Sequence, residues 1–341
     1  MTEKAPNIGS FAGGKSVLVT GGGGTIGREL CRAVSFYSPR KIIIADIYEN
    51  NAYMIYRELC ERGFDNVEVE ILSVCNEPAL RQLFDRYRPE IVYHTAAHKH
   101  VPLMEKNVSE AVLNNVFGTE NVLRLACEYC AEKAILISTD KAIAPIGVMG
   151  ATKRAAEMLA YLANKKGKTA VSMVRFGNVF GSDGSVIPIF EKQIDDGGPV
   201  TVTDKRCVRY FMSVSEAVEL LLAAGTISKG GEIFALDMGE PQNIYDLACE
   251  VIRSHGLTPN EDMKIICTGM REGERLREEN TVDLSNAEPT SAERIYITAD
   301  KPFNAEIFEA KLAELKRLAL EIKESAVRKL LFEIVNQHSQ P

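Results

Sequence analysis

Residues 139–141 of the chain place a hydroxyl, a carboxyl and an amine side by side, as Thr139, Asp140 and Lys141. They follow the apolar run AILIS at 134–138, and VMGATK opens a helical pattern a few residues later. Such groups can hydrogen-bond a ligand and exchange protons with it. Because open α/β sheets bind ligands at the carboxyl ends of their strands, we expect this stretch to face a ligand. The alternative is a solvated loop between a strand and a helix.

The turn after the first predicted strand is rich in glycine and reads TGGGGTIG, residues 20–27. Glycine lets the backbone approach a pyrophosphate, whose charge meets the N-terminus of the next helix. Asp46 ends the second predicted strand about 20 residues later, where a carboxylate accepts ribose hydroxyls and repels a 2′-phosphate. This pattern predicts NAD rather than NADP. The residues expected to bind it are Gly21, Gly24, Thr25, Ile26, Gly27 and Asp46, with the small Ala96 and Ala97 after the fourth strand.

Short β-branched runs alternate with helical patterns, which predicts parallel strands joined by crossover helices. The predicted strands are 16–20, 41–46, 67–72, 90–94, 134–139 and 169–176. Since most of these runs are nearly continuously apolar, we predict a doubly wound α/β sheet with helices on both faces. We assign 1–178 to a Rossmann domain, 179–290 to a smaller substrate-binding subdomain and 291–341 to a C-terminal helical extension. A strand near 230–239 is expected to return to the sheet.

The composition excludes several classes of function. There are 40 Lys and Arg against 47 Asp and Glu, a net charge of −7, so no general positive field collects nucleic acid. No apolar run approaches the ~18 residues of a membrane span, and the first residues lack a signal-peptide core. We therefore expect a soluble cytoplasmic protein without membrane insertion. Apolar residues spaced by three or four from Phe308 to Leu330 predict one amphipathic helix, packed on its own core or, alternatively, against another subunit.

Several longer motifs carry a resemblance that covers roughly residues 15–290. They are the glycine turn, AAHKHVPLME at 96–105, NNVFGT at 114–119, STDKA at 138–142, VMGATKR at 148–154, RFGNVFGSDGSVIP at 175–188, VRYFM at 208–212 and GMREGERL at 269–276. With these motifs the chain resembles the extended short-chain dehydrogenase/reductases. Within that superfamily it is similar to the CapD-like nucleotide-sugar 4,6-dehydratases of surface-polysaccharide and glycan biosynthesis.

The resemblance implies a tightly bound NAD and a redox-neutral elimination on a UDP-sugar, with UDP-N-acetylglucosamine as the first candidate. Hydride leaves C4, the new ketone acidifies the C5 hydrogen, water is lost across C5 and C6, and hydride returns to C6. The implied roles are a base for Lys141, a proton donor to the C6 hydroxyl for Asp140, a hydrogen bond to the C4 oxygen for Thr139 and a hold on the nicotinamide ribose for Lys153. Neutral Lys141 with protonated Asp140 has the same net charge as their ion pair, so we expect the two to titrate as a unit.

The same resemblance implies how the sugar nucleotide is bound. Arg271 and Glu274 match the family's grip on the diphosphate and ribose, and Arg209 is a second cation near it. Surface salt bridges are the alternative for both arginines. The other expected substrate contacts are Lys99, His100, Glu105, Asn178, Ser185 and Val186.

The histidines of H-x-x-x-H-x-H at 94–100 could be metal ligands. Because the stretch runs from strand into loop, these spacings do not bring three imidazoles to one face. We expect no metal site, with a structural hydrogen bond for His94 instead.

Met149 departs from the superfamily's usual Tyr-x-x-x-Lys motif at a catalytic position, and a thioether cannot act as a base. The resemblance then favours the branch that retains configuration at C5. The base for the C4 hydroxyl stays open among Asp140, Thr139 through water, and Lys153. Two other functions also stay open: a nucleotide-sugar 4-epimerase, which normally needs the tyrosine, and a non-catalytic NAD-sensing protein. Many relatives carry N-terminal membrane helices. In contrast to them, we interpret this chain as a soluble catalytic unit. We also expect it to form a homo-oligomer.

Overall fold

The computed structural model describes residues 8–282, 286–299 and 302–336. Its strands are β1 (Ser16–Thr20), β2 (Lys41–Asp46), β3 (Val67–Ile71), β4 (Ile91–His94), β5 (Lys133–Thr139), β6 (Ala170–Phe176), β7 (Asn178–Val179), β8 (Val200–Val202), β9 (Val208–Arg209), β10 (Phe211–Met212), β11 (Ile233–Leu236), β12 (Gln242–Asn243), β13 (Ile265–Cys267), β14 (Ala287–Pro289) and β15 (Ile295–Thr298).

The helices alternate with these strands along the first half of the chain. The α-helices are α1 (Ile8–Ala12), α2 (Thr25–Ser35), α3 (Glu49–Glu61), α4 (Glu77–Tyr87), α5 (Val101–Met104), α6 (Val108–Val112), α7 (Gly118–Glu128), α8 (Val148–Lys166), α9 (Val186–Asp195), α10 (Val214–Ile227), α11 (Ile244–Ser254), α12 (Ala305–Leu320) and α13 (Glu324–Val335). A π-helical turn covers Leu113–Phe117, and a 3₁₀ turn covers Asp140–Ala142.

The main sheet has the strand order β3-β2-β1-β4-β5-β6-β11-β15-β14. Neighbouring strands from β3 to β11 are parallel, whereas β15 pairs antiparallel with both β11 and β14. Val17 and Val19 of β1 lie in one buried apolar cluster, and Leu18 lies in another. Helices therefore cover both faces, and the predicted doubly wound parallel sheet is confirmed. The strand order reverses between β1 and β4, where such sheets bind ligands.

The chain returns to this sheet after residue 178. β11 lies within the stretch where a returning strand is predicted, and it pairs with β6. The short strands β7 to β10, β12 and β13 form two-stranded sheets beside α9 and α11, around a separate apolar cluster. The domain boundaries at 178 and 290 stay a prediction, and their ends at 1–7 and 337–341 lie outside the described residues.

The prediction of one helix at the C-terminal end is wrong, because α12 and α13 form a hairpin. The N–H groups of Ile322 and Lys323 donate to the carbonyls of Ala319 and Leu318, at 3.0 Å each. Ile322 has a φ of +55°, so the backbone leaves the helix in a left-handed turn. Ile322 continues the apolar spacing of α12, but it lies where the helix ends and its side chain is 71% exposed.

The hairpin packs on the chain's own core, the first of the two predicted alternatives. Phe308 and Leu315 of α12 and Val327 and Leu331 of α13 are buried against α6 and α8. Within the described ranges, no helix has the length and hydropathy of a membrane span.

Candidate active site

A cleft of about 880 Å³ lies at the carboxyl ends of the parallel strands. Its volume falls in the usual range of small-molecule sites. Most of the expected site residues line it: Gly21, Gly24, Thr25, Ile26, Gly27, Ala97, Lys99, His100, Thr139, Lys141, Met149, Lys153, Asn178, Ser185, Val186, Arg209, Arg271 and Glu274. The structure therefore brings together stretches that are far apart in the sequence, such as those of Gly21 and Arg271, which are 250 positions apart. Asp46, Ala96, Asp140 and Glu105 are expected there too, but they are not among the residues that line it.

The glycine turn forms one end of the cleft and leaves no room for side chains at two positions. Gly21 has a φ of +67°, and a Cβ on it would lie 2.7 Å from Cα of Ala96. A Cβ on Gly27 would collide with the carbonyl oxygen of Gly21. The first N–H groups of α2, which have no acceptor within the helix, therefore open onto the cleft close to the strand ends. This cradle fits a dinucleotide pyrophosphate.

Asp46 fixes this turn through both of its carboxylate oxygens. Oδ2 accepts a hydrogen bond from the Gly23 N–H at 2.8 Å, and Oδ1 accepts one from the Tyr48 N–H at 2.8 Å. Since each carboxylate oxygen has further lone-pair capacity, Asp46 can still accept a ribose hydroxyl. The acceptor oxygens of Asp46 thus fit the adenosine half of a dinucleotide.

Asp140 lies under the centre of the cleft and is 1% exposed. Its Oδ1 accepts hydrogen bonds from Thr139 Oγ1 at 2.7 Å and from Lys141 Nζ at 3.0 Å. Its Oδ2 is buried and has no hydrogen-bond partner within the described part of the chain. The expected acid and amine are therefore in direct contact, and one buried oxygen of the acid is left without a hydrogen-bond partner among the described residues.

Glu278 adds a second carboxylate that the sequence analysis missed. Its Oε1 lies 3.4 Å from Lys141 Nζ and 3.5 Å from Arg209 Nε, and its side chain is buried. Burial acts to lower the pKa of Lys141, but the charges of Asp140 and Glu278 outweigh it and hold that pKa above its ordinary value. Lys141 is therefore charged in this arrangement. The only sequence signal is the pair Glu278-Glu279 after GMREGERL, which does not say which carboxylate faces the cleft.

The first turns of α8 bring Met149 and Lys153 to the same cleft, one helical turn apart. Lys153 is 6% exposed, and burial lowers its pKa to about 8, although Glu157 acts in the opposite direction. A neutral lysine amine is accordingly accessible near physiological pH at this position.

A buried ion cluster behind the site joins α8 to two strands. Glu157 of α8 accepts hydrogen bonds from Ser138 Oγ at 2.6 Å and from Arg175 Nε at 2.7 Å and Nη2 at 2.6 Å. Burial alone raises the pKa of Glu157, but Arg175 outweighs it, so the pKa lies below its ordinary value. The sequence analysis missed this cluster, which fixes the end of β5 and hence the residues that follow it.

The other end of the cleft carries the residues expected to bind a sugar nucleotide. Arg209 is mostly buried, whereas Arg271 is more than half exposed and its Nη1 lies 3.8 Å from Glu274 Oε1. Asn178 Nδ2 donates to the Tyr210 carbonyl at 3.3 Å. The Oγ of Ser185 is buried and, among the residues the structure describes, has no hydrogen-bond partner. This end thus offers cations and polar groups to a ligand.

Asp183, which is not among the expected site residues, lies in the 175–188 motif and also lines the cleft. Asp183 accepts hydrogen bonds from Thr25 Oγ1 at 3.1 Å and from Arg28 Nη2 at 3.2 Å, both on α2. It therefore connects the two ends of the cleft beside the glycine turn.

Glu105 is not a substrate-facing residue, which corrects the expectation. Its Oε1 accepts the Val148 N–H at 2.6 Å, and its Oε2 lies 2.5 Å from Arg328 Nη1. Both oxygens are thus engaged behind the wall of the cleft. Glu105 was predicted to contact the sugar because it belongs to the 96–105 motif, but its partners in the structure are Val148 and Arg328.

His94 makes the structural hydrogen bonds predicted for it. Its Nδ1 lies 2.7 Å from Thr20 Oγ1, and its Nε2 lies 2.9 Å from Thr119 Oγ1. Burial, with Lys153 nearby, lowers its pKa to about 3, so the ring is neutral. In the described ranges, no three His, Cys, Asp or Glu side chains are grouped as metal ligands.

Comparisons with known proteins show the family of the chain. A family model described as "Polysaccharide biosynthesis protein" matches residues 17–300. The chain belongs to this family. Relatives of the chain include nucleotide-sugar dehydratases and epimerases.

The chain is similar to the capsular polysaccharide biosynthesis protein CapD of Staphylococcus aureus, to which it is 50% identical over 268 residues. The match covers 78% of this chain and 45% of CapD, so the chain spans about half the length of that relative. The UDP-N-acetylglucosamine 4,6-dehydratase (inverting) of Campylobacter jejuni strain 81-176 is 37% identical over 275 residues, 78% of this chain and 77% of that protein. Among solved structures, Pen from Bacillus thuringiensis is 33% identical with a TM-score of 0.78, covering 85% of this chain and 89% of Pen.

Proposed function

We propose that the chain dehydrates a UDP-sugar, with UDP-N-acetylglucosamine as substrate, to the 4-keto-6-deoxy sugar nucleotide, using bound NAD. The observation that carries the proposal is the contact between the buried Asp140 and Lys141, which lines the same cleft as the glycine turn. An acid and an amine in contact can exchange one proton between them without a change in net charge. An elimination that removes one proton and delivers another needs such a pair.

The residues that hold NAD in this proposal are those of the glycine turn, with Asp46 at the adenosine ribose and Lys153 at the nicotinamide ribose. NAD, when bound, supplies the hydride acceptor for C4 and the hydride donor for C6. The absence of space for a Cβ at Gly21 and Gly27 supports the close approach of a pyrophosphate.

The protonation of the Asp140–Lys141 pair determines what these two residues do. At rest, the charged form of Lys141 is favoured by two carboxylates. Transfer of its proton to Asp140 leaves a neutral amine, which removes the C5 proton, and a carboxylic acid, which donates to the departing C6 hydroxyl. Once hydride has returned to C6, the protonated Lys141 amine gives C5 a proton that exchanges with solvent. The unpartnered Oδ2 of Asp140 is the atom that we assign to this donation.

The proton of the C4 hydroxyl needs a different acceptor, because Met149 cannot take it. Thr139 Oγ1 donates to Asp140 and keeps lone pairs that can receive a hydrogen bond from the substrate. Among the candidates we favour Lys153 as the final acceptor, since burial lowers its pKa to about 8. We also propose retention at C5, following the methionine in place of tyrosine.

At the nucleotide end we propose that Arg209 and Arg271 bind the diphosphate and that Glu274 binds the ribose. The charge on a diphosphate calls for cations, which the acidic protein as a whole does not supply. Lys99, His100, Asn178, Ser185 and Val186 line the space between the nucleotide and the sugar.

Incubation of the protein with NAD and UDP-N-acetylglucosamine in deuterated water tests the proposal. We expect a product that has lost one water and carries deuterium at C5, and NMR of that product gives the C5 configuration. An unchanged mass with a moved hydroxyl indicates a 4-epimerase. Unchanged substrate with NAD bound favours the NAD-sensing alternative.

A further inference from the structure

Glu105 lies where three segments of the site meet. Its buried carboxylate accepts the Val148 N–H at the start of α8. A Cβ on Gly147 would lie 2.6 Å from its Oε1, and a Cβ on Gly273 would lie 2.5 Å from the same atom. The two glycines therefore let the start of α8 and the 269–276 loop close around one carboxylate.

Arg328 of α13 binds the other side of this carboxylate. Its Nη1 lies 2.5 Å from Glu105 Oε2, and its Nη2 lies 2.9 Å from Glu272 Oε1. A planar guanidinium can bridge two carboxylates in this way, whereas a lysine ammonium is a point charge on a flexible stem. Arg328 also lies beyond residue 300, where the match to the family model ends.

Both segments joined by these contacts carry residues that line the cleft. α8 carries Met149 and Lys153, and the 269–276 loop carries Arg271 and Glu274. The Glu105 side of the bridge is buried, so removing Arg328 leaves a buried carboxylate without its cation, which is costly. The Glu272 side is exposed and contributes less to stability.

We propose that the C-terminal hairpin positions the sugar-nucleotide end of the cleft, with Arg328 as the positioning residue that ties the 269–276 loop to the start of α8 through Glu105 and Glu272. The hairpin thereby sets the distance between the nucleotide-binding loop and the helix that carries Lys153. The identity of the ligand rests on the proposed function, whereas the mechanical link does not.

Hydrogen exchange measured by mass spectrometry on the ligand-free protein tests the link directly. We expect Arg328→Ala to raise amide exchange in both 145–150 and 269–276, because both segments lose their common anchor. Glu272→Gln, which changes only an exposed side chain, should raise exchange in 269–276 alone. Arg317→Ala, which removes an exposed ion pair with Glu321 elsewhere on the hairpin, should change neither segment. Unchanged exchange in both segments of Arg328→Ala and in 269–276 of Glu272→Gln overturns the proposal.

Calorimetric titration with UDP then asks whether the link sets the binding site. We expect Arg328→Ala and Glu272→Gln to weaken UDP binding by between about twofold and tenfold, with NAD binding unchanged. Arg328→Lys should recover part of the loss at most. A wild-type protein that does not bind UDP contradicts the proposed function. In that case the hydrogen-exchange data still test whether Arg328 connects the 269–276 loop to the start of α8. UDP binding by Arg328→Ala that equals wild type, in a wild type that binds UDP, contradicts the positioning role.

Discussion

The two ends of the cleft are built in different ways. The dinucleotide end comes from one turn, residues 20–27, and from Asp46 on the next strand, and backbone atoms in close contact fix its shape. The sugar end takes Lys141 from the 3₁₀ turn after β5, Arg209 from β9 and Glu278 from a distant loop, and paired charges fix its shape.

Because of this difference, we expect the two ends to respond differently to substitution. At the dinucleotide end an added methyl group meets backbone that cannot move aside, so the effect is steric and local. At the sugar end two carboxylates, Asp140 and Glu278, are balanced by Lys141 and Arg209, so removing one charge changes the protonation of its neighbours. Substitutions at the two ends should therefore separate NAD binding from proton transfer.

The largest effect is expected from Lys141→Met, which removes the proposed base while keeping most of the side-chain volume. Dehydration should fall by roughly 10²-fold to 10⁴-fold, the usual contribution of a general base. NAD affinity should stay within a few-fold of wild type, because Lys141 belongs to the sugar end. Turnover and NAD titration measure the two quantities, with the exposed Lys168→Met as control.

Two results would contradict this separation of proton transfer from NAD binding. A Lys141→Met protein that still exchanges the C5 hydrogen with deuterated water has another base. A protein that loses NAD along with activity shows that the two ends are not separable. Thermal unfolding of the variant is needed alongside, since two buried carboxylates then lack one of their cations.

A second prediction concerns Gly27→Ala. Its Cβ would collide with the Gly21 carbonyl, and both partners are backbone. We expect the free energy of unfolding to fall by about 1–3 kcal/mol and NAD to bind at least roughly tenfold more weakly. At Gly24 a Cβ would lie 3.2 Å from the same oxygen, so Gly24→Ala should cost less in both measurements. Equal losses at the two positions would contradict a steric origin.

Glu278→Gln tests the charge balance at the sugar end through the pH dependence of turnover. The Glu278 charge favours protonated Lys141, so its removal lowers the pKa of Lys141. The Asp140–Lys141 pair then loses its proton at lower pH, and the alkaline limb of kcat/KM should move to lower pH. Glu279→Gln is the matched control, because Glu279 is exposed and pairs with Arg275. An alkaline limb that stays in place, or moves to higher pH, contradicts the role of Glu278.

The sheet and the dinucleotide end could be predicted from the sequence because their signals are local. Runs of β-branched residues such as KIIIAD give the strands, and the glycine turn is contiguous. Glu105 and Glu278 could not be assigned in this way. The partner of Glu105 is Arg328, 223 positions away. Glu278 and Glu279 are neighbours of one type, and only the tertiary fold buries the first and exposes the second. Long-range charge pairing leaves no pattern in a single sequence.

The smallest expected effect tests the C-terminal hairpin, where local periodicity predicted the wrong structure. Ile322 has a φ of +55° and occupies the position after the α12 C-cap that glycine favours. Relief of the left-handed penalty, about 1–2 kcal/mol for a residue with a Cβ, is partly offset by the greater entropy of glycine in the unfolded chain. Ile322→Gly should therefore raise the free energy of unfolding in urea by up to about 1 kcal/mol.

Ile307→Gly is the matched control, because Ile307 is also exposed but lies within α12. Glycine inside a helix should lower the free energy of unfolding by about 1 kcal/mol. The two substitutions are therefore expected to have opposite signs. If Ile322→Gly destabilises the protein as Ile307→Gly does, the helix continues through residue 322, as its apolar spacing predicts. The hairpin would then not bring Arg328 to Glu105, and the positioning of the 269–276 loop would need another source.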